Sequence, residues 1–189
     1  MQFELQPKLE GKLIRLRPLE RADFEDLYLA ANDPLIWEVH PEPTRYQRDV
    51  FQQYFDSGIE SGGAFVMIDK RSGRIIGGSR YFNYHPGEKS EIEIGYSFLE
   101  RAYWGGAYNR ELKQLMIEHA LKFVERVVFI AGINNFRSRR ALEKIGARFE
   151  GELERPNTGG VMEKNALYEI TREMWEDGVA KLLRSQPAI

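Results

Sequence analysis

Residues 104–111 read Trp-Gly-Gly-Ala-Tyr-Asn-Arg-Glu, and this glycine-rich stretch separates two segments of different periodicity. Upstream, Glu91–Leu99 alternates polar and apolar residues, which predicts a β-strand. Downstream, apolar residues recur at intervals of three and four, which predicts an amphipathic helix over 109–126. The first N–H groups of such a helix lack intrahelical acceptors and favour an anion such as a phosphate. A tight strand–helix connection needs no ligand, however, so these glycines alone leave both interpretations open.

A second strand-to-helix turn follows the first. The apolar run Val127–Ile133 leads into 134–146, which reads Asn-Asn-Phe-Arg-Ser-Arg-Arg-Ala-Leu-Glu-Lys-Ile-Gly and ends on a glycine typical of a helix C-terminus. The two turns therefore have the same local order of strand, loop and helix.

Together the turns resemble the GNAT superfamily of acyl-CoA-dependent N-acyltransferases, over about 9–175 of the chain. Ala102–Ala107 corresponds to the family's acetyl-CoA loop, Gln/Arg-x-x-Gly-x-Gly/Ala, and Asn135-x-x-Ser138 corresponds to its Asn-x-x-Ser/Ala motif. The segments 12–19, 95–96 and 150–153 resemble the RimJ/RimL branch, which acetylates ribosomal proteins.

The resemblance implies a GNAT-like α/β fold of the α+β kind, in which helices flank a central, mostly antiparallel twisted sheet with splayed middle strands. It implies acetyl-CoA as the co-substrate and a primary amine as the acceptor, either a protein N-terminal α-amine or a small-molecule amine. The amine would attack directly in a ternary complex. The alternative is a non-catalytic acyl-CoA-binding or sensing module, which would keep the binding turns without the chemistry.

The resemblance also assigns residues to coenzyme binding. Those expected in the glycine turn are Tyr103, Trp104, Gly105, Gly106, Ala107 and Tyr108. Asn135 is either a helix N-cap or the partner of the pantetheine amide. Arg137, Arg139 and Arg140 stand at a helix start, where the dipole disfavours cations, so they indicate bound phosphate unless surface acids pair with them. Of these three, Arg137 and Arg140 are the expected contacts.

Three residues are candidates for proton transfer. Ser138 shares the inward stripe of its helix and would assist the departing thiolate, or else it bonds locally as an ordinary helix-start serine. Glu91 and Glu93 share one strand face, and either is a candidate base, although a solvated strand face explains the same alternation.

The sequence departs from the family pattern at two positions. Leu142 occupies the place where many relatives carry a proton-donating Tyr, which makes Ser138 the expected donor. Ala102 lacks the side-chain contact that Gln or Arg makes to pyrophosphate, so backbone N–H groups must supply more of the hydrogen bonds to it.

The acceptor is expected between the early helices, near Trp37 and His40. His40 could contact the substrate or carry a proton near neutral pH, and a lone surface histidine is the alternative. Glu111 lies in the first turn of its helix and is interpreted as a structural acid.

Composition narrows the function classes. The 189 residues are 42% hydrophobic and 30% charged, which is typical of one globular domain over 1–189, with its core at about 9–175. With no cysteine and three scattered histidines, no metal site is expected. A net charge of -2 argues against nucleic acid, and no signal peptide or apolar span is evident, which predicts a cytoplasmic protein without membrane contact. A homodimer is left open.

Periodicity and turn residues predict eleven elements and a loop over 156–165. The elements are strand Leu9–Pro18, helices Ala22–Asn32 and Gln47–Gly62, strands Phe65–Lys70, Arg74–Tyr84 and Glu91–Phe98, helix Asn109–Arg126, strand Val127–Ile133, helix Arg137–Ile145, and strands Arg148–Arg155 and Ala166–Arg172.

Overall fold

A computed structural model describes residues 3–157 and 160–179 and contains one eight-stranded sheet. The strands are β1 (Leu9–Glu10), β2 (Ile14–Pro18), β3 (Ala64–Asp69), β4 (Ile75–His85), β5 (Glu91–Leu99), β6 (Arg126–Gly132), β7 (Arg148–Pro156) and β8 (Met162–Thr171). Their order in the sheet is β1-β2-β3-β4-β5-β6-β8-β7. Every neighbouring pair is antiparallel except β5 and β6, which run parallel.

Helices cover both faces of the sheet. They are α1 (Phe24–Ala31), α2 (Pro34–Trp37), α3 (Arg48–Ser61), α4 (Ala107–Ala120), α5 (Phe136–Lys144) and α6 (Arg172–Met174). The connection from β5 through α4 to β6 is the crossover that a parallel pair requires. None of the described helices is long and apolar enough to cross a membrane.

Two apolar layers form the core, one on each face of the sheet. Alternation along β3 shows this, because Phe65 and Met67 belong to the layer of α4 and α5, whereas Val66 and Ile68 belong to the layer of α1–α3. We call these the α4 face and the α1 face. The mixed α/β architecture predicted from the sequence is therefore confirmed.

Most predicted boundaries lie within two residues of the observed ones, and three differ by more. The first strand is interrupted at Gly11, because the N–H groups of 12–14 bond to the Glu111 carboxylate and not to a neighbouring strand. The long helix ends at Ala120, six residues early, since the N–H of Glu125 already bonds to the Ser90 carbonyl at the start of the parallel pair. The predicted 156–165 loop is shorter, because β8 begins at Met162.

Candidate active site

The two parallel strands separate after three residues. β5 and β6 pair only at Glu91–Glu93 with Arg126–Val128. Beyond that point β5 continues to Leu99 bonded only to β4, and β6 continues to Gly132 bonded only to β8. We call the space between 94–99 and 129–132 the cleft. Within the described residues no strand fills this gap between β5 and β6, and an extended amide-containing chain can pair with such a strand edge.

A β-bulge shapes the β5 wall of the cleft. Arg80 pairs with Gly95 and Gly78 pairs with Phe98, so two residues of β5 oppose one of β4. Tyr96 in the bulge has φ of 51°, and its carbonyl accepts the Tyr54 hydroxyl at 2.8 Å. Bulges re-aim backbone and side-chain groups, so the N–H groups at this point are directed differently from those of a regular strand.

The glycine turn closes one end of the cleft. Gly105 and Gly106 have φ of 113° and 123°, values that residues with a Cβ rarely adopt, and α4 starts directly afterwards at Ala107. The N-cap residue is Gly106, which has no side chain, and within the described residues no side chain is recorded as capping the first-turn N–H groups of α4. The Trp104 indole donates to the Leu99 carbonyl at 2.8 Å, which fixes the turn on the end of β5.

Two aromatic residues and one acid hold the turn and α4 in place. Tyr108 donates to Asp69 at 3.2 Å and makes an edge contact with Tyr103, whose centroid lies 4.9 Å away. The Glu111 carboxylate accepts three backbone N–H groups of 12–14 at 2.7–2.8 Å. Glu111 is thus a structural acid, as the sequence indicated.

The second turn has a well-defined cap. Asn135 is buried and its side chain accepts the Ser138 N–H at 3.1 Å, so it is the N-cap of α5. The Ser138 hydroxyl is half-buried and has no hydrogen-bond partner within 3–157 and 160–179. Leu142, one turn further along α5, is buried in the α4-face layer and supplies no proton.

The three arginines of α5 have different surroundings. The Arg137 guanidinium stacks on Trp104 at 4.3 Å and donates to the Ile36 carbonyl at 2.7 Å, so it connects the second turn to the first. Burial lowers its pKa. Arg139 instead bonds to the Ile133 carbonyl and the Tyr168 hydroxyl, and this contact with the sheet makes it a structural residue. Arg140 is exposed.

Glu93 lies at the apex of the cleft, in the last residue pair of β5 and β6. Because Ile92 and Ile94 belong to the α4 face, the alternating Glu93 side chain is on the α1 face. It is 3% exposed and accepts hydrogen bonds from Arg155 at 2.8 and 3.1 Å and from Asn83 at 3.0 Å. Burial raises its pKa although these partners oppose the rise. A solvated strand face therefore does not describe Glu93.

Glu91 lies farther from the opening, at the start of β5. Its carboxylate pairs with Arg126 at 2.7 Å and faces His85 at 3.5 Å. It is two residues before Glu93, where β5 and β6 are still hydrogen-bonded to each other.

Trp37 and His40 lie at and just after the end of α2, in the region where the acceptor is predicted to bind. Trp37 is 2% exposed, its indole donates to the Ala31 carbonyl, and it packs on Phe98 in the α1-face core. Burial, with Arg45 and Arg137 nearby, lowers the pKa of His40 to about 3. With this pKa the imidazole is neutral at neutral pH, where it can accept or donate a hydrogen bond but carries no charge.

One residue near the cleft escaped the sequence interpretation. Lys113 is 6% exposed on the inner side of α4, and its Nζ donates to Ser97 Oγ at 2.8 Å. Its position in the sequence did indicate burial, since Lys113 lies on the same helical stripe as the buried residues Met116, Ile117 and Ala120.

Comparisons with known proteins decide the family. Residues 14–148 match the model of the acetyltransferase (GNAT) domain. The chain belongs to the GNAT family. It is an N-acetyltransferase, and acetyl-CoA is the acetyl donor that this family uses. No curated protein matches the sequence.

Solved GNAT structures share the fold at low sequence identity. A GCN5-related N-acetyltransferase from Brucella melitensis is 22% identical, with a TM-score of 0.83, over 97% of this chain and 86% of that one. Mycobacterium smegmatis RimJ in complex with CoA-disulfide is 19% identical, with a TM-score of 0.72, over 95% and 93%. A ribosomal-protein acetyltransferase from Vibrio fischeri is 20% identical, with a TM-score of 0.67, over 89% and 98%.

Proposed function

We propose that this GNAT enzyme acetylates a primary amine, either a protein N-terminal α-amine or a small-molecule amine, in the manner of the RimJ/RimL branch. The observation that carries the proposal is the cleft, whose unpaired β5 edge ends at an uncapped helix preceded by two positive-φ glycines. The co-crystallised coenzyme of the RimJ neighbour supports a coenzyme site in this fold.

The chemistry of the cleft fits acetyl-CoA in two ways. The free edge of β5 offers backbone partners to the amide groups of a pantetheine arm. The first N–H groups of α4 suit a pyrophosphate, and the Tyr103–Tyr108 turn allows close approach because Gly105 carries no Cβ. Asn135, Arg137 and Arg140 on the second turn are proposed as further contacts, with Arg137 poised over Trp104.

Acetyl-CoA, when bound, supplies a thioester carbonyl that a neutral amine can attack without a covalent enzyme intermediate. Backbone N–H groups at the Tyr96 bulge would polarise that carbonyl. Glu93 is proposed to accept the proton of the amine through water, and Glu91 is the second candidate. The Ser138 hydroxyl, which has no hydrogen-bond partner among the described residues, would donate a hydrogen bond to the departing sulfur. His40 stays neutral and can contact the acceptor without carrying its proton.

The acceptor determines how much base is needed. An α-amine with a pKa of ~8 is partly neutral at physiological pH, whereas a lysine at ~10.4 is almost fully charged. A buried carboxylate that already binds Arg155 is a modest base, which favours the α-amine.

Thiol release tests the proposal directly. The chain has no cysteine, so a thiol reagent reports only free coenzyme A. We expect release above the hydrolysis rate with a peptide that has a free N-terminus, and none with the same peptide N-acetylated. The acceptor amines tested should also include polyamines and amino sugars. Calorimetric binding of acetyl-CoA without release for any amine would instead identify a sensing module.

A further inference from the structure

Lys113 lies directly beneath the cleft. Its Nζ is 2.8 Å from Ser97 Oγ on β5 and 5.4 Å from the ring centroid of Phe129 on β6. Both neighbours lie beyond the last paired residues, Glu93 and Val128, so the amine sits under the gap where the strands have separated. Ser97 is exposed, and its hydroxyl therefore links the buried amine to the cleft surface.

No acidic side chain in the part of the chain that the structure describes pairs with Lys113. Within the described ranges it forms no ion pair, and the carboxylates of β5 are engaged elsewhere, Glu91 with Arg126 and Glu93 with Arg155. On α4 itself, Glu111 is bonded to the backbone of 12–14. An ammonium has three donors, and Ser97 accepts one of them. Burial lowers the pKa of Lys113 to about 7, so its charged and neutral forms are close in free energy at neutral pH.

We propose that Lys113 is the proton reservoir of the cleft and that it delivers, through the Ser97 hydroxyl, the proton taken up by the leaving sulfur, while Ser138 stabilises that sulfur by a hydrogen bond without transferring its proton. The proposal rests on the acetyl transfer described above. It adds a source for a proton that a serine hydroxyl alone, a poor acid, does not readily supply.

The proton balance closes without another reagent. Lys113 Nζ gives a proton to Ser97 Oγ while the Ser97 hydroxyl gives its own to the sulfur, as the carbon–sulfur bond breaks and the carbon–nitrogen bond forms. The acceptor nitrogen loses one proton toward Glu93 and water, and neutral Lys113 regains one from water through Ser97. The Ser79 hydroxyl, 2.8 Å from Ser97 Oγ, holds that side chain in place.

The group proposed to accept the amine proton and the group proposed to supply the sulfur proton lie on opposite faces of the sheet. Glu93, the proposed acceptor of the amine proton, is on the α1 face with the helices that would surround the substrate. Lys113 is on the α4 face, as are α5 and Leu142, where the leaving group would be stabilised. A donor and an acceptor on opposite sides of one cleft do not neutralise each other.

Lys113→Met, Ser97→Ala and the exposed control Lys122→Met test the proposal. A donor must be protonated, so wild-type kcat should fall above pH 7 on the alkaline side. Lys113→Met and Ser97→Ala should both lose that alkaline limb, with kcat at pH 7 lowered roughly a hundredfold and acetyl-CoA affinity within about twofold of wild type. Lys122→Met should match the wild type throughout.

Nuclear magnetic resonance gives a readout that needs no turnover. In protein labelled with 13C and 15N, the Lys113 Nζ and Cε signals, assigned by their loss in Lys113→Met, should titrate near pH 7. A midpoint above pH 9, or an unchanged alkaline limb in both Lys113→Met and Ser97→Ala, would overturn the proposal. If the wild type released no thiol with any amine, the proposed function would fail, and the titration would still decide whether Lys113 exchanges a proton at neutral pH.

Discussion

At the scale of single residues, the two glutamates of β5 differ more than their shared strand face suggests. Glu93 is at the cleft apex, nearly inaccessible, and held by Arg155 and Asn83, whereas Glu91 is farther back and bound to Arg126. A proton acceptor must reach the amine, directly or through one water, so Glu93 is the stronger candidate and Glu91 is its natural control.

We therefore expect Glu93→Gln to change the acid side of the pH profile. Protonation of Glu93 removes its ability to accept a proton, and its raised pKa brings this loss closer to neutral pH. Glu93→Gln should lower kcat by roughly a hundredfold and abolish the acid limb, while Glu91→Gln keeps it. Profiles of kcat from pH 5 to 8, with circular dichroism to verify folding because Arg155 loses its partner, would check this. A wild-type acid limb in Glu93→Gln would remove it as the base.

At the scale of elements, the turns and their flanking strands and helices followed from the sequence, because periodicity and glycines are local signals. What could not be predicted depends on long-range contacts. The Glu111 carboxylate binds the backbone N–H groups of 12–14, which interrupts the first strand. The Ser90 carbonyl accepts the N–H of Glu125, which fixes the chain that follows α4. Arg139 was grouped with its neighbours because its Tyr168 partner is 29 residues away. In the sequence, Lys113 is only one polar residue on the apolar stripe of a helix. The cleft above it is formed by β5 and β6, so its position there could not be predicted from the helix alone.

The glycine turn gives a prediction at this scale. Gly105→Val should raise the Kd for acetyl-CoA at least tenfold, because a β-branched residue at φ of 113° must shift the backbone that faces the ligand. A Cβ at Gly105 meets no atom within 4 Å, so the protein itself has room for it.

Gly87→Val is the matched control for strain. Gly87 has φ of 125°, and a Cβ there also meets open space, but it lies in the turn between β4 and β5, at the other end of β5 from the glycine turn. Both variants should lose a similar 1–3 kcal/mol of stability, an order-of-magnitude cost for a strained residue. Calorimetry should detect weakened acetyl-CoA binding only in Gly105→Val, and equal affinity in the two folded variants would refute the proposal that the glycine turn binds acetyl-CoA.

At the scale of the whole molecule, the sheet is continuous except where its one parallel pair opens. Antiparallel ladders on both sides hold β5 and β6 apart, β5 through β4 and β6 through β8. The open edge costs backbone hydrogen bonds, and the core beneath it contains the buried Lys113, which has no ion pair within 3–157 and 160–179. Features that reduce stability at one place, in a fold that is otherwise well packed, are expected at functional sites.

The buried lysine should leave a signature in global stability. The pKa of Lys113 is about 7 in the folded protein and about 10.4 in an unfolded chain, so between these values the unfolded state binds one more proton. The contribution of Lys113 to the free energy of unfolding therefore rises with pH by about 1.4 kcal/mol per unit from about pH 7 upward, and below pH 7 the cost of its buried charge is fully present.

Lys113→Met removes this term while keeping a side chain of similar length. Its stability advantage over the wild type should be largest below pH 7 and should shrink above it, by an amount that approaches about 1.4 kcal/mol for each pH unit toward pH 9. Urea unfolding at pH 7, 8 and 9 measures the difference, and Lys122→Met, exposed just beyond α4, should show no such trend. A difference between Lys113→Met and wild type that stays constant from pH 7 to 9 would mean that Lys113 has an ordinary lysine pKa in the fold, and it could not then serve as a proton reservoir at neutral pH.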